Sequence, residues 1–492
     1  MTTIRFSQLL RLSVVLLLPI LALAAETPPE SKPIDVGDRP QLFIDNLFFE
    51  SSENITLHMN PPTKTGEQTL VSDRPWENAT LNWFSVMEDD GSRGPGGKYR
   101  MWYECYDVEG WPTTNDTSFC YAESADAIHW NKPALAILPY HDSTENNILF
   151  RQIGSEGAHS RVHGAGVFKD PNAPPETQYK AVSQGMFTAY NPVYRVAGMT
   201  SPDGLHWTRL AKPICDVFAD SQYSGFWDTP TRQYVLYGRS NGHGRAIGRA
   251  TSASFDQFAP LELVLETNDQ DPPESDLYNP AAIKYPYADH AYFMFPSLYR
   301  HKDDTLDIHL AVSRDGIHWT WPERGKPFVA LGPAGTFDSG SLYMGQGLIR
   351  ANNELNLYYS GAPIKHNESE LDALSKPENK RIFGRLVSRP EGLVSAEAGE
   401  QEAIFTTPPL KYQGNRLLLN AKTAPNGEIR IALLNAEGKP IPGYTIQDST
   451  PITGDHQQIQ ATWKRNPTLP EPTQKLTIKM KNASLYSFQF SN

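Results

Sequence analysis

Ser124-Ala-Asp126-Ala-Ile-His129-Trp130 recurs as Ser201-Pro-Asp203-Gly204-Leu-His206-Trp207, and again as Ser313-Arg-Asp315-Gly316-Ile-His318-Trp319. A degenerate copy runs Ser252-Ala-Ser-Phe255-Asp-Gln-Phe258. Asp-Gly makes a tight turn, because Gly accepts positive φ and Asp bonds nearby amides. The Trp then opens the next strand with a large apolar ring, expected to be buried between sheets. Asp126, Asp203 and Asp315 are therefore turn formers and not catalytic acids. Each copy follows a strand-like run: Phe119–Glu123, Tyr194–Thr200, Ala246–Thr251 and Leu306–Val312. Internal repeats of this size mark solenoids and propellers.

Working outward, two more strand signals precede each copy. They are Leu81–Glu88 with Lys98–Glu104, Gly164–Lys169 with Tyr179–Gln184, and Ser224–Trp227 with Gln233–Tyr237. Ala281–Tyr285 pairs with Ala291–Pro296, and Tyr343–Arg350 with Glu354–Ser360. The pattern predicts an all-β chain with a five-bladed β-propeller over 73–395. The segment 25–72 is a leader that closes or packs against the ring. Alternating runs such as Arg416–Ala421, Glu428–Leu434 and Lys475–Met480, with turns at Asn426-Gly427 and Glu437-Gly438, predict a C-terminal β-sandwich over 396–492.

The composition agrees. With 492 residues, 39 % hydrophobic and 20 % charged, the chain is globular and long enough for two domains. Forty prolines and thirty-five glycines favour turn-rich β-structure. A net charge of −12 argues against nucleic acid as a general partner. Arg5, Arg11, the apolar run Leu12–Leu23 and Ala22-Leu23-Ala24 read as a signal peptide over 1–24, which implies a secreted or periplasmic protein with no membrane span in the mature chain. Cys105 and Cys120 fall in neighbouring strands and are expected to bond or to lie close enough to do so, leaving Cys215 over. No zinc spacing is present.

The signal peptide, the S-x-D-G-x-H-W blade endings, Pro75-Trp76-Glu77 before the first blade and the trailing β-domain resemble the secreted five-bladed propeller glycoside hydrolases, similar to families 32 and 43. The resemblance implies cleavage of glycosidic bonds by paired carboxylates. The invertase-type Asn-Asp-Pro-Asn-Gly motif is absent, and Arg-Asp-Pro has only Lys169-Asp170-Pro171 as a partial match. The following Pro-Asn-Ala-Pro-Pro places Asp170 at a hairpin on the far side of the ring.

In a propeller, the starts of the inner strands and the loops returning from second to third strands line one axial mouth. Glycoside hydrolysis commonly needs two carboxyl groups facing one sugar. At these entry points stand Glu77, Asp220, Asp276 and Asp338, with Glu104 at the end of a second strand. Asp220 and Asp276 are the expected essential pair, since Ser221-Gln222 and Tyr278-Asn279 beside them suit sugar hydroxyls. Arg161, His163, Arg239, His243, Tyr299, Arg300 and His301 occupy equivalent places, and Trp83 and Trp111 offer ring faces. Converging Arg residues suit an anionic sugar. Two other readings stay open: a non-catalytic carbohydrate-binding propeller, and a sialidase-like enzyme using Arg161, Arg239 and Arg300. No cofactor is demanded, although an axial Ca²⁺ is compatible with such a mouth.

Overall fold

The computed structural model describes residues 32–89, 98–109, 117–151, 162–368, 373, 376–471 and 473–492. The expected signal peptide, Trp111 and Arg161 lie outside the described residues. The chain is all-β, with a propeller-like arrangement of small antiparallel sheets. The first contains strands Thr80–Glu88, Tyr99–Tyr106, Ser118–Ser124 and Ile148–Phe150. The second contains His163–Lys169, Tyr179–Met186, Tyr194–Ser201 and Thr208–Arg209, and the third Ser224–Asp228, Gln233–Gly242, Gly244–Ser252 and Glu262–Leu265. A fourth complete set is Ser341–Met344, Glu354–Ala362, Ile382–Ser388 and the early strand Thr63–Leu70.

Five separate blades were expected, and here the structure differs. The stretch between the third sheet and the last is divided. Ala282–Lys284, Tyr292–Met294 and Ala311–Ser313 form a three-stranded sheet. Ser275–Leu277, Ser297–Arg300 and Thr305–Ile308 instead join the last sheet through a parallel pairing of Leu306 with Ser341. Pro280 and Pro296 fall at the break, and proline cannot donate to a ladder. There Phe295 N–H bonds Pro280 O and His309 N–H bonds Pro296 O.

The repeated motif builds the joints of the ring. In each full copy the Ser Oγ accepts the amide three residues on, at 2.9 Å. Asp Oδ1 accepts two further amides, and Asp Oδ2 meets His Nδ1 at 2.7 Å. The turn carbonyl then receives a bond from the preceding sheet: Tyr358 Oη to Ala127 O and Trp102 Nε1 to Gly204 O, both 2.6 Å, and Tyr237 Oη to Gly316 O. Trp130, Trp207 and Trp319 are half-buried and not fully buried as expected, because each packs one face on a neighbour (Tyr358, Phe119 and Tyr237) and leaves an edge at the surface. A second repeated joint lies at the other end of the inner strands. Asp89, Asp170 and Asp228 each accept a hydroxyl from the next sheet's Tyr179, Tyr234 or Tyr292. Asp170 is thus a buried structural acid on the far side, also facing Lys180.

The inner strands meet around the axis. Ser85 Oγ donates to Ala165 O at 3.0 Å, Gln346 N–H to Phe84 O at 3.0 Å, and Gln222 Nε2 to Phe84 O at 2.9 Å. Gly166 packs so tightly that a Cβ there would strike Tyr223 O and Gln346 Oε1. These contacts plug the axis between the inner strands.

The expected C-terminal β-sandwich takes another form. Strands Gln41–Leu42, Ser51–Glu53 and Thr56–Met59 from the front of the chain join Val394–Ala398, Ala403–Thr406, Arg416–Leu434, Asp455–Gln460 and Lys475–Ser491 in one eight-stranded sheet, while Leu410–Tyr412 pairs with Ile34–Gly37. Phe43, Phe48, Phe405, Trp463 and Phe488 share its core. Alternation along Arg416–Leu434 and Lys475–Ser491 fixes which residues face that core, and the partner strands come from the other end of the chain. Cys105 and Cys120 are free thiols with sulfurs 3.4 Å apart, and Cys215 is buried elsewhere.

Candidate active site at the entry mouth of the ring

The mouth where the inner strands begin gathers side chains from every part of the ring. Trp83 comes from the first inner strand, and Glu104 and Tyr106 from the end of the strand paired with it. His163 opens the second inner strand, and Tyr278 follows Ser275–Leu277. Tyr343 lies in the last inner strand, with His366 in the loop beyond its partner. Trp83 stacks on Tyr278 at 6.2 Å and meets Tyr343 edge-on at 4.6 Å and His163 at 6.5 Å. Tyr278 also meets His366 at 4.7 Å, which in turn lies 4.9 Å from Tyr299.

Three guanidinium groups cover these rings. Arg239 sits 4.5 Å from the Tyr278 centroid, and Arg245 sits 5.2 Å from Tyr278 and 5.4 Å from Tyr299. Arg381 sits 4.7 Å from the Tyr343 centroid. Burial, then the charges of Arg381 and Arg245, depresses His366 to about 4, so its imidazole is neutral at neutral pH. Burial pushes the Tyr343 phenol well above its ordinary value, so it stays a donor and bonds His366 Nδ1 at 2.9 Å.

Three acids belong to the rim. Glu104, 1 % exposed, accepts from Tyr106 Oη at 2.6 Å and Gly164 N–H at 3.2 Å, and meets His163 Nδ1 at 2.8 Å. Asp276 Oδ2 accepts from Arg245 Nη1 at 3.1 Å and lies 3.0 Å from His301 Nε2, while Oδ1 is buried without a hydrogen bond. Asp220 is half exposed and touches Arg239 at 3.3 Å, and the same guanidinium donates to Tyr278 O. Asp220 is thus linked through Arg239 to the Tyr278 carbonyl, and Asp276 lies two residues before Tyr278. A groove of about 910 Å³ runs past Asp276, His243 and His301.

Other residues selected from sequence have different surroundings. Glu77 is fully buried, held by Lys132 and Tyr103 at 2.6 Å and by the amides of Asp73 and Arg74. Burial raises its pKa. Asp338 bonds Lys64, Thr336 and Tyr359. Burial opposes its charge, but these partners outweigh it and hold the carboxyl below its usual value. Neither acid shares a hydrogen-bond partner with the aromatic cluster. Both occupy strand entries, yet their side chains turn to interior lysines. Arg300 pairs with Asp307. His243 is exposed beside Glu266. Gln222 is spent on the axial plug, whereas Asn279 is fully buried with neither amide atom bonded.

Arg245, Arg381, Tyr343 and His366 were not singled out from sequence. Arg245 and Arg381 stand at or just before the start of third strands, so the rule about loops returning to the mouth reaches them once the strand beyond each loop is counted. Among the described residues no group of three or more His, Cys, Asp or Glu side chains is placed to hold a metal ion. No helix among them is long and apolar enough to cross a membrane.

No family model matches the chain, and no curated protein matches it. Among solved structures it is similar to a glycosyl hydrolase from Bacteroides ovatus, with TM-score 0.46 and 13 % identity over 74 % of this chain and 97 % of that one. It is also similar to a glycoside hydrolase of the GH130 family that targets β-1,2 mannosidic linkages in Candida mannan, with TM-score 0.45 and 14 % identity over 74 % and 97 %. An N-acetylgalactosamine deacetylase from F. plautii, in complex with blood group B trisaccharide, gives TM-score 0.43 and 16 % identity over 68 % and 96 %. These similarities transfer no residue roles to the mouth, whose reading rests on its own geometry.

Proposed function

We propose that the protein is a secreted or periplasmic glycoside hydrolase that cleaves an oligo- or polysaccharide at this mouth. In this reading the ring is a five-bladed propeller akin to families 32 and 43, its fourth blade split at Pro280 and Pro296. The observation that carries it is Asp276 lining a groove of about 910 Å³ two residues before Tyr278, whose carbonyl accepts from Arg239, the partner of Asp220. Ring faces take sugar C–H surfaces, and the polar side chains of the groove take hydroxyls. Asp276 lines the groove as the second carboxyl group, its Oδ2 held by Arg245 and His301. Asp220, open to solvent, is placed to activate water or attack the sugar. Glu104, His163 and Tyr106 form the facing wall.

The test is a glycan panel followed by Asp220→Asn and Asp276→Asn on any substrate found. Each substitution is expected to lower kcat by about 10²-fold or more, with folding and binding retained. Full activity in both variants would remove these acids from catalysis. Glycan binding without turnover on the whole panel would favour a carbohydrate-binding protein.

A further inference from the structure

Arg381 is 6 % exposed. Its Nη2 donates to Ser341 Oγ at 2.9 Å, while Nη1 is buried with no hydrogen-bond partner. The ionisable groups that act on it are the phenols of Tyr343, Tyr278 and Tyr106, and no carboxylate pairs with it among the described residues. Arg209 shares this state, with a buried unbonded Nη1 and no carboxylate partner among the described residues, but four other arginines are ion-paired. Arg100 is paired with Asp89, Arg151 with Asp107, Arg324 with Asp271 and Arg385 with Glu67. A buried cation without a counter-ion is costly, and loses that cost when an anion arrives.

Arg239 and Arg245 act with Arg381 on both Tyr343 and His366, so the three charges converge on one place. Arg239 is opposed only by the half-exposed Asp220, and its Nε is buried and unbonded. Arg245 is balanced by Asp276. Asp220 and Asp276 thus balance Arg239 and Arg245, and Arg381 is the guanidinium of the three left without a carboxylate partner among the described residues.

We propose that the mouth recognises an anionic substituent of the glycan, a carboxylate or a sulfate ester, with Arg381 as its buried counter-ion and Arg239 at its open side. This rests on the glycoside-hydrolase reading for the nature of the ligand, but not for the anion site itself. The planar fork of arginine suits both groups, since each presents two oxygens to parallel N–H donors. Arg381 is then a specificity-determining residue, and neutral sugars leave its charge uncompensated.

The first probe is inorganic sulfate, titrated into the full-length mature protein and into Arg381→Gln and Arg239→Gln. Thermal stability is read against sodium chloride at matched ionic strength. Wild type is expected to gain stability with sulfate. Each variant is expected to need at least about tenfold more sulfate for the same gain. Arg381→Gln without ligand is expected to be at least as stable as wild type, because an unpaired buried charge is gone. Equal responses to sulfate and chloride in wild type, or unchanged sulfate binding in both variants, would overturn the anion site. If Arg381→Gln fails to fold, Arg239→Gln and the wild-type comparison still decide. The second arm compares uronic-acid oligosaccharides, their carboxyl-reduced counterparts and sulfated oligosaccharides. Preference for the first or third identifies the source of the anion. Cleavage of neutral glycans with no preference for acidic ones would sink this inference and leave the hydrolase standing. Sulfate binding that depends on Arg381, with no turnover on any glycan, would do the reverse.

Discussion

His366 gives the cluster a pH-dependent stability whose sign and size follow from its surroundings. The imidazole packs on Tyr278 and Tyr299 and accepts the Tyr343 hydroxyl, with Arg381, Arg245 and Arg239 opposing its protonation and Asp304 favouring it. Its pKa falls from 6.5 to about 4 on folding. Between those values the unfolded chain binds a proton that the folded chain refuses. Stability from the neutral ring is complete above about pH 6.5 and is lost as the pH drops toward about 4. The full shift corresponds to about 3 kcal/mol, at ~1.4 kcal/mol per pKa unit. The ring is partly open to solvent, which screens the surrounding charges, so about 2 kcal/mol is expected. The perturbation is His366→Gln, which keeps a polar acceptor for Tyr343 but cannot titrate. Denaturant midpoints followed by near-ultraviolet circular dichroism, at about pH 7.5 and about pH 4.5, provide the assay. Wild type should lose about 2 kcal/mol more than the variant across that interval. Parallel loss, with a difference below about 0.5 kcal/mol, would show that the imidazole is not held neutral by this cluster.

Two further predictions separate structural from functional acids and test the axial packing. Glu77→Gln leaves Lys132 with only the half-exposed Asp73 as charge partner and is expected to cost about 2 kcal/mol in denaturant unfolding, while turnover of the folded fraction stays unchanged. A specific loss of turnover would instead return Glu77 to the active site. Gly166→Ala places a methyl group against Tyr223 O and Gln346 Oε1 and should destabilise by about 3 kcal/mol in the same assay, whereas wild-type stability would contradict the plugged axis.

The sequence by itself determined the joints of the ring. Asp126, Asp203 and Asp315 were legible as turn formers because their partners lie within three residues, and the structure places the same bonds in all three copies. Strand alternation likewise marked which runs form sheets, since facing is a local property with period two. The tertiary structure decided whatever depends on partners far along the chain. The split near Pro296 required knowing that Leu306 pairs with Ser341, and the C-terminal sheet required strands from Gln41 to Met59. The entry rule selected Asp220, Asp276, Tyr278 and Glu104 together with Glu77 and Asp338, and could not tell their surroundings apart. An acid at a strand entry has the same local sequence whether it faces the mouth or an interior lysine. Lys132 and Lys64 are 55 and 274 positions away from those acids. Arg381 was invisible for the same reason. Its significance is the lack of a counter-ion, and that is a property of the assembled neighbourhood, not of the residues beside it in sequence.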